Sequence, residues 1–557
     1  MKGSPGNYIK HGLAASVVVI VTLAGLACGT AGTATPAPTE ATGAKATAAP
    51  KPSQAEKVVL RVGAVADTYR NDPKDPSRAN VGMFPINTNI FDQLIRVSPD
   101  FQLQPMLAES WEYLTETGTW RFHLRKDVKF HDGQPFTADA IVEMVTRYWS
   151  QGANGPRLRI NESSAIARDS YTLDITPLSP HLRLPEALAH PSFGVRAPGS
   201  DPFIGGHIGS GPFKFVEYVK DDRITFEKNS GYWGNVPRVD RIEFRFMPDP
   251  NTRVLALQAR EVDVIYDVPP EATLLLQGKK DIQVFKTDVS ASQYIMVLIT
   301  GQPPYNITQD ILVREALGYA IDRQQIISTS FHGFAGANQV FSAVGVLRQY
   351  ANRIVGYSYD PDRARSLLEN AGWREGDRNG VREKDGRKLT LEFINGFPAG
   401  PENGTTAEVL QAQLRQVGVD LKIVNTPDNP AYSARLENKQ GDLFLEIGNQ
   451  NSPSPCFLTS LFYGRVPNPG PYARGFAPGP AGWPAYDDAI DACDGALAID
   501  EAAMHSADAV HVAVDEARVV IPLLGITRIY AASANVKDFT PHPVRLHVRW
   551  ESLSVTR

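Results

Sequence analysis

From Val58 onward, apolar and polar residues alternate in short runs. Val58-Val59-Leu60-Arg61-Val62-Gly63 and Trp120-Arg121-Phe122-His123-Leu124 carry the two-residue period of half-buried strands. The same signal predicts strands at 172–175, 213–216, 224–226, 242–246, 388–394 and 420–424, with a buried strand at 262–265 and an apolar one at 519–523. A 3.6-residue period takes over at 137–150, where Ile141, Val142, Val145 and Trp149 share one face behind Thr137 as N-cap. Further helices are predicted at 252–259, 311–320, 361–371, 407–417 and 501–517. Strands and helices mix without strict alternation, which points to an α/β fold with antiparallel elements. No internal repeat is present.

The first 57 residues follow another pattern. Residues 13–27 are uncharged and stand behind Lys2 and Lys10, a stretch too short for a span of about 20 apolar residues. A basic start, a short apolar run and small residues before a cut are the marks of a secretory signal. Gly25-Leu26-Ala27-Cys28 resembles a bacterial lipobox, in which Cys28 is acylated and becomes the mature N-terminus; an uncleaved N-terminal anchor is the alternative. In residues 29–56, 22 of 28 are Ala, Thr, Pro or Gly, so no hydrophobic face exists to order the segment. The expected organisation is a signal at 1–27 and a tether at 28–57. The body is then exported, either to the periplasm or to the outer face of the cytoplasmic membrane.

Composition narrows the function. The chain has 557 residues, enough for three or four units of roughly 150, and 42% hydrophobic content supplies a core. Lys plus Arg number 56 and Asp plus Glu 61, a formal charge of −5 that offers no basic field for nucleic acid. Phosphate loops, dinucleotide fingerprints, HExxH and the G-x-S-x-G elbow are all missing. No catalytic residue, cofactor or bound metal is expected. Asp377-Arg378-Asn379-Gly380 faintly resembles a calcium loop but reads better as a hairpin turn. His131-Asp132 before Gly133 reads as turn chemistry rather than half of a catalytic pair. Two cysteines remain after export, Cys456 and Cys493; they are either a disulfide closing a loop of intervening chain or two buried thiols.

Longer blocks then fall into order. Pro105-Met106-Leu107-Ala108-Glu109-Ser110-Trp111-Glu112 is followed by Trp120 through Ala138, including Lys129-Phe130-His131-Asp132-Gly133-Gln134-Pro135-Phe136-Thr137. Gly209-Ser210-Gly211-Pro212-Phe213, Tyr232-Trp233, Pro248-Asp249 with Asn251-Thr252-Arg253, and Glu261-Val262-Asp263 come next. Val313-Arg314, Ala320-Ile321-Asp322-Arg323, Asp360-Pro361, Ala371-Gly372-Trp373 and Gln411-Ala412-Gln413-Leu414 complete the series. Together these resemble the extracytoplasmic solute-binding proteins of peptide/nickel-type ABC importers, family 5, over about residues 58–530. The resemblance implies a two-lobed periplasmic-binding-protein-like fold of type II, in the large family-5 variant. A ligand cleft lies between the lobes. Lobe I would combine 58–97, 206–290 and 518–557, an inserted subdomain would take 98–205, and lobe II would take 291–517. It also implies a monomer that works with an ABC permease and ATPase subunits. The aromatic and glycine positions in these blocks are read as scaffold, with Gly133, Gly209 and Gly211 supplying turn geometry.

Peptide-binding members of that family set a carboxylate against the peptide ammonium in a Gly-Asp-Pro-Asp-like run. The matching stretch is Asn449-Gln450-Asn451-Ser452-Pro453-Ser454-Pro455-Cys456-Phe457-Leu458, and no Asp or Glu occurs from Ile447 to Tyr486. By this resemblance the pocket candidates are Tyr69, Asn449, Ser452, Ser454 and Phe457. A peptide remains the first ligand class; neutral saccharides, metal chelates and opine-like solutes stay open, and so does the reading of Ser452–Pro455 as a rigid surface loop. A tethered surface hydrolase and a chemosensory or scaffold protein without a transport partner are the other functional classes.

Overall fold

The computed structural model describes residues 57–65, 88–151, 158–200, 208–287, 292–342, 345–376, 380–396, 401–450, 452–462, 483–544 and 547–556. Cys28, Tyr69 and the 377–379 turn lie outside the described residues.

Two large sheets carry two lobes. The first has seven strands in the order Ile282–Lys286, Ile529–Ser533, Val264–Tyr266, Val59–Ala64, Arg241–Phe246, Arg223–Lys228 and Phe213–Val219. Val59–Ala64 is parallel to both its neighbours, and the outer pairs are antiparallel. Leu60, Val62, Ile242 and Phe244 point to one side, where Phe213 and Trp550 complete a core. On the other side, helices Pro250–Gln258 and Pro270–Leu276 bury Val254, Leu257 and Leu276 against Ile265 and Ala531.

The second sheet runs Ala335–Ala337, Val520–Ile526, Ser292–Leu298, Leu443–Asn449, Thr390–Asn395 and Asp420–Asn425. Every residue of Ser292–Leu298 is buried, as expected of a central strand covered on both faces. A third, four-stranded antiparallel sheet belongs to the inserted subdomain, where Phe122, Leu124, Ile141, Trp149 and Leu173 share a separate core. The chain passes between the two large sheets twice, once after Ile282–Lys286 and once between Val520–Ile526 and Ile529–Ser533. Residue 518 was expected to open the last segment of lobe I. Val520–Ile526 instead pairs with Ser292–Leu298 in the second sheet, so the return crossing falls at 527–528.

The sequence blocks are structural joints. Asp249, Asp322 and Asp360 are N-caps whose carboxylates accept backbone N–H groups of the helices they open. Arg323 donates to the carbonyls of Pro522 and Tyr357, at 2.8 and 3.0 Å. His131 accepts from the Gly209 amide at Nδ1 and reaches the Gly211 carbonyl through Nε2 at 2.9 Å, while Asp132 accepts from Gln134 N in the turn. Gly133 has φ of +91°, the left-handed turn geometry expected of it. Gly209 and Gly211 are needed for a different reason: a Cβ at Gly209 would stand 2.0 Å from the Ile90 carbonyl oxygen, and one at Gly211 2.6 Å from it. Close backbone approach, not turn conformation, selects glycine at those two positions.

Candidate functional site

Strand ends meet where the chain crosses between the sheets. Ser292 opens its strand directly opposite Asn449, the last residue of the neighbouring strand. Asp267 follows Val264–Tyr266 with φ of +51°, and its carbonyl is held by Arg253, which also donates to the Met247 and Pro248 carbonyls. Arg528, on the return crossing, joins the two sides. Its Nη1 lies 3.0 Å from Asp267 Oδ1, and its Nη2 donates to Ser292 Oγ at 2.7 Å and to Asn449 Oδ1 at 2.8 Å. Among the described residues its buried Nε has no hydrogen-bond partner. Glu402, half-buried in the first turn of Pro401–Gln416, feels the same cluster. Burial holds its carboxyl above the usual range, Glu271 and Asp267 push the same way, and Arg528 opposes them.

A second meeting point joins the second lobe to the inserted subdomain. Gln450 Nε2 donates to the Ser452 and Ser454 carbonyls at 2.7 Å. Ser452 Oγ donates to the Glu186 carbonyl at 2.8 Å. Phe457 stacks on His190 with ring centroids 5.8 Å apart and planes 24° from parallel. Nearby, Arg159 Nη2 lies 2.7 Å from Asp494 Oδ2, and the Leu182 amide donates to the Asp494 carbonyl at 3.1 Å. Arg183 bonds Glu186 Oε1 at 2.8 Å and donates to the carbonyls of Ala496 and Leu497. Burial pushes the Glu186 and Asp494 carboxyls up, against the opposing pull of Arg183 and Arg159 respectively. Cys456 and Cys493 are disulfide-bonded in a small core with Ala496 and Ala502.

The sequence candidates therefore divide. Asn449 faces the crossing, but its amide oxygen serves Arg528 and Ser292. Ser452 and Ser454 are buried, and the Ser454 hydroxyl accepts from the Cys456 amide, so both hydroxyls are engaged inside the protein in this conformation. Phe457 is partly exposed against His190. Sequence reasoning passed over Arg528, Asp267, Ser292, His190, Arg159 and Asp494. They belong to no motif and come together only when strands pair. Among the described residues, no group of three or more His, Cys, Asp or Glu side chains is arranged to hold a metal ion, and no helix is long and apolar enough to cross a membrane.

Comparison with known proteins gives a consistent result. The model of bacterial extracellular solute-binding proteins, family 5 Middle, matches residues 102–469. The nickel-binding periplasmic protein of Escherichia coli strain K12 is 27% identical over 405 residues, covering 68% of this chain and 73% of that protein. The glutathione-binding protein GsiB of Salmonella typhimurium is 30% identical over 402 residues, covering 69% and 72%. In fold, NikA from Brucella suis in complex with Fe(III)-EDTA superposes with a TM-score of 0.78 at 24% identity, covering 89% of this chain and 100% of NikA. The oligopeptide-binding protein AppA from Bacillus subtilis, in complex with a nonapeptide, superposes with a TM-score of 0.70 at 19% identity, covering 90% and 99%.

Proposed function

The chain belongs to the bacterial extracellular solute-binding proteins of family 5, and on that premise we propose that it captures a peptide or peptide-like solute between its lobes and delivers it to a membrane permease. Members of this family are non-enzymatic components of ABC importers, binding small molecules or peptides and working with a permease and an ATPase. The observation that carries the reading is the Arg528 junction, in which one guanidinium touches Asp267 on the first sheet and Ser292 and Asn449 on the second. Rotation about the two crossings opens or closes the lobes, and a ligand favours the closed form by its differential affinity.

Two facts bear on the ligand. The segment that holds the ammonium-binding acid in peptide-binding members has none here, and Asn449 in that segment is already bonded to Arg528. The bound peptide is therefore held by its backbone and side chains, with little contribution from a free N-terminus. The GsiB relatives favour a short peptide, since glutathione is itself a tripeptide with two carboxylates. The second reading is a metal chelate, which the nickel-binding relative and the Fe(III)-EDTA complex of the structural neighbour support. Native mass spectrometry of freshly purified protein identifies a retained ligand, and titration calorimetry then tests it. N-acetylation of a bound peptide is expected to change Kd by less than about tenfold, or ~1.4 kcal/mol. Loss of binding on acetylation would mean that an acid elsewhere receives the ammonium, and Glu402 is the first residue to substitute in that case.

A further inference from the structure

We propose that the Cys456–Cys493 disulfide is a positioning device for closure, joining the two pieces of the second lobe that meet the inserted subdomain into one pad. The inference rests on the closing motion proposed above, and the geometry carries it. One piece is the stretch 452–457, which reaches the subdomain through Ser452 Oγ to the Glu186 carbonyl and through Phe457 stacked on His190. The other is the C-terminal end of the helix Pro484–Gly495 and the residues after it. It receives Arg159 at the Asp494 carboxylate, Leu182 N at the Asp494 carbonyl, and Arg183 at the Ala496 and Leu497 carbonyls. Cys456 stands one residue before Phe457, and Cys493 one before Asp494. The bond thus ties the two contact points almost at the positions where they touch.

Physical reasons favour a role in closure over a role in lobe stability alone. The second lobe already has a large core around its six-stranded sheet, and the two cysteines sit apart from it, in a cluster with only Ala496 and Ala502. Holding the two pieces in register before contact lowers the ordering cost of forming these cross-contacts together, which is preorganisation in its ordinary sense. Without the bond, each piece settles separately, and the closed form becomes less populated at the same ligand concentration.

Hydrogen–deuterium exchange read on the segment 180–190 tests this without a known ligand, because the Leu182 amide donates across the contact. The comparison is between the oxidised parent protein and the double variant Cys456→Ala/Cys493→Ala. Exchange across 180–190 is expected to rise about tenfold or more in the variant, with Ser292–Leu298 and Val520–Ile526 unchanged. Equal protection of 180–190 in both proteins would overturn the disulfide inference while leaving closure standing. Equal lack of protection in both would remove the contact itself, and the closing face with it. Loss of protection throughout the second sheet would reduce the bond to a stabiliser of the lobe. Should the double variant not fold, the parent is reduced in place with a trialkylphosphine. The disulfide takes two electrons and two protons to give two thiols, and the phosphine gains an oxygen from water to become its oxide. Thiol counting by mass then accompanies the same exchange measurement, with the same outcomes.

Discussion

Asp92 is fully buried, and side chains from distant stretches of chain converge on its carboxylate. Tyr232 OH and Arg549 Nη2 reach Oδ1 at 3.1 and 3.3 Å, while Trp233 Nε1 and Ser210 Oγ reach Oδ2 at 2.8 and 3.2 Å. Burial and then the Asp92 charge push the Tyr232 phenol well above its ordinary value, so it stays protonated and donates. Tyr232-Trp233 were legible in the sequence as scaffold; the acid they serve was not, because nothing marks Asp92 before the chain folds. Asp92→Asn removes the charge that faces Arg549 and turns a carboxamide N–H toward groups that donate. A loss of roughly 3 kcal/mol follows from breaking one side of a buried pair, against about 1 kcal/mol for Ser210→Ala. Urea unfolding measures both. An Asp92→Asn midpoint equal to that of the parent would show that the carboxylate is not what holds this joint.

At the level of elements, alternation found the strands with one polar face, apolar runs found two buried ones at 262–265 and 519–523, and two further buried strands were missed. Val58–Gly63 was read within a residue of the observed Val59–Ala64. Ser292–Leu298 and Ile529–Ser533 are buried along their whole lengths and alternate nothing, so only pairing reveals them. Both flank the crossing between sheets, which is why the candidate site was harder to see than the fold. The contact between the inserted subdomain and the second lobe has a pH dependence whose sign follows from burial. Glu186 and Asp494 have their carboxyls raised by burial with the contact formed, and an opening that exposes them to water is expected to bring them back toward ordinary values. Forming the contact therefore takes up protons. It is strongest below the ordinary carboxylate range, and part of that strength is lost as pH rises through the raised values. Protection at 180–190, corrected for intrinsic exchange, is expected to be greater at pH 4.5 than at pH 7.5, and Glu186→Gln should flatten the difference. Protection that instead grows with pH would mean the Arg159 and Arg183 ion pairs outweigh burial.

For the whole molecule, long ordered blocks between Pro105 and Leu414 made the architecture readable in advance through their resemblance to one family; in the structure several of them prove to be caps, turns and close approaches. Ligand identity was not readable to the same degree, since the pocket candidates at 449–457 are partly engaged in holding the protein together. Cellular placement is testable at this scale. With Cys28 acylated and the 28–57 tether intact, Cys28→Ala should move the protein from the membrane fraction to the soluble one with ligand affinity unchanged. Unaltered fractionation would favour an uncleaved N-terminal helix. The double crossing has a consequence for biosynthesis. The second sheet is drawn from one continuous stretch, 292–526, and its strands can assemble as soon as that stretch has emerged from the ribosome or translocon. The first sheet has strands made much earlier, yet Ile529–Ser533 lies between Val264–Tyr266 and Ile282–Lys286, so a gap one strand in from its edge persists until residues 529–533 have been made. The first sheet is thus finished after the second, and until then it presents two unpaired strand edges, the kind of surface that general chaperones bind.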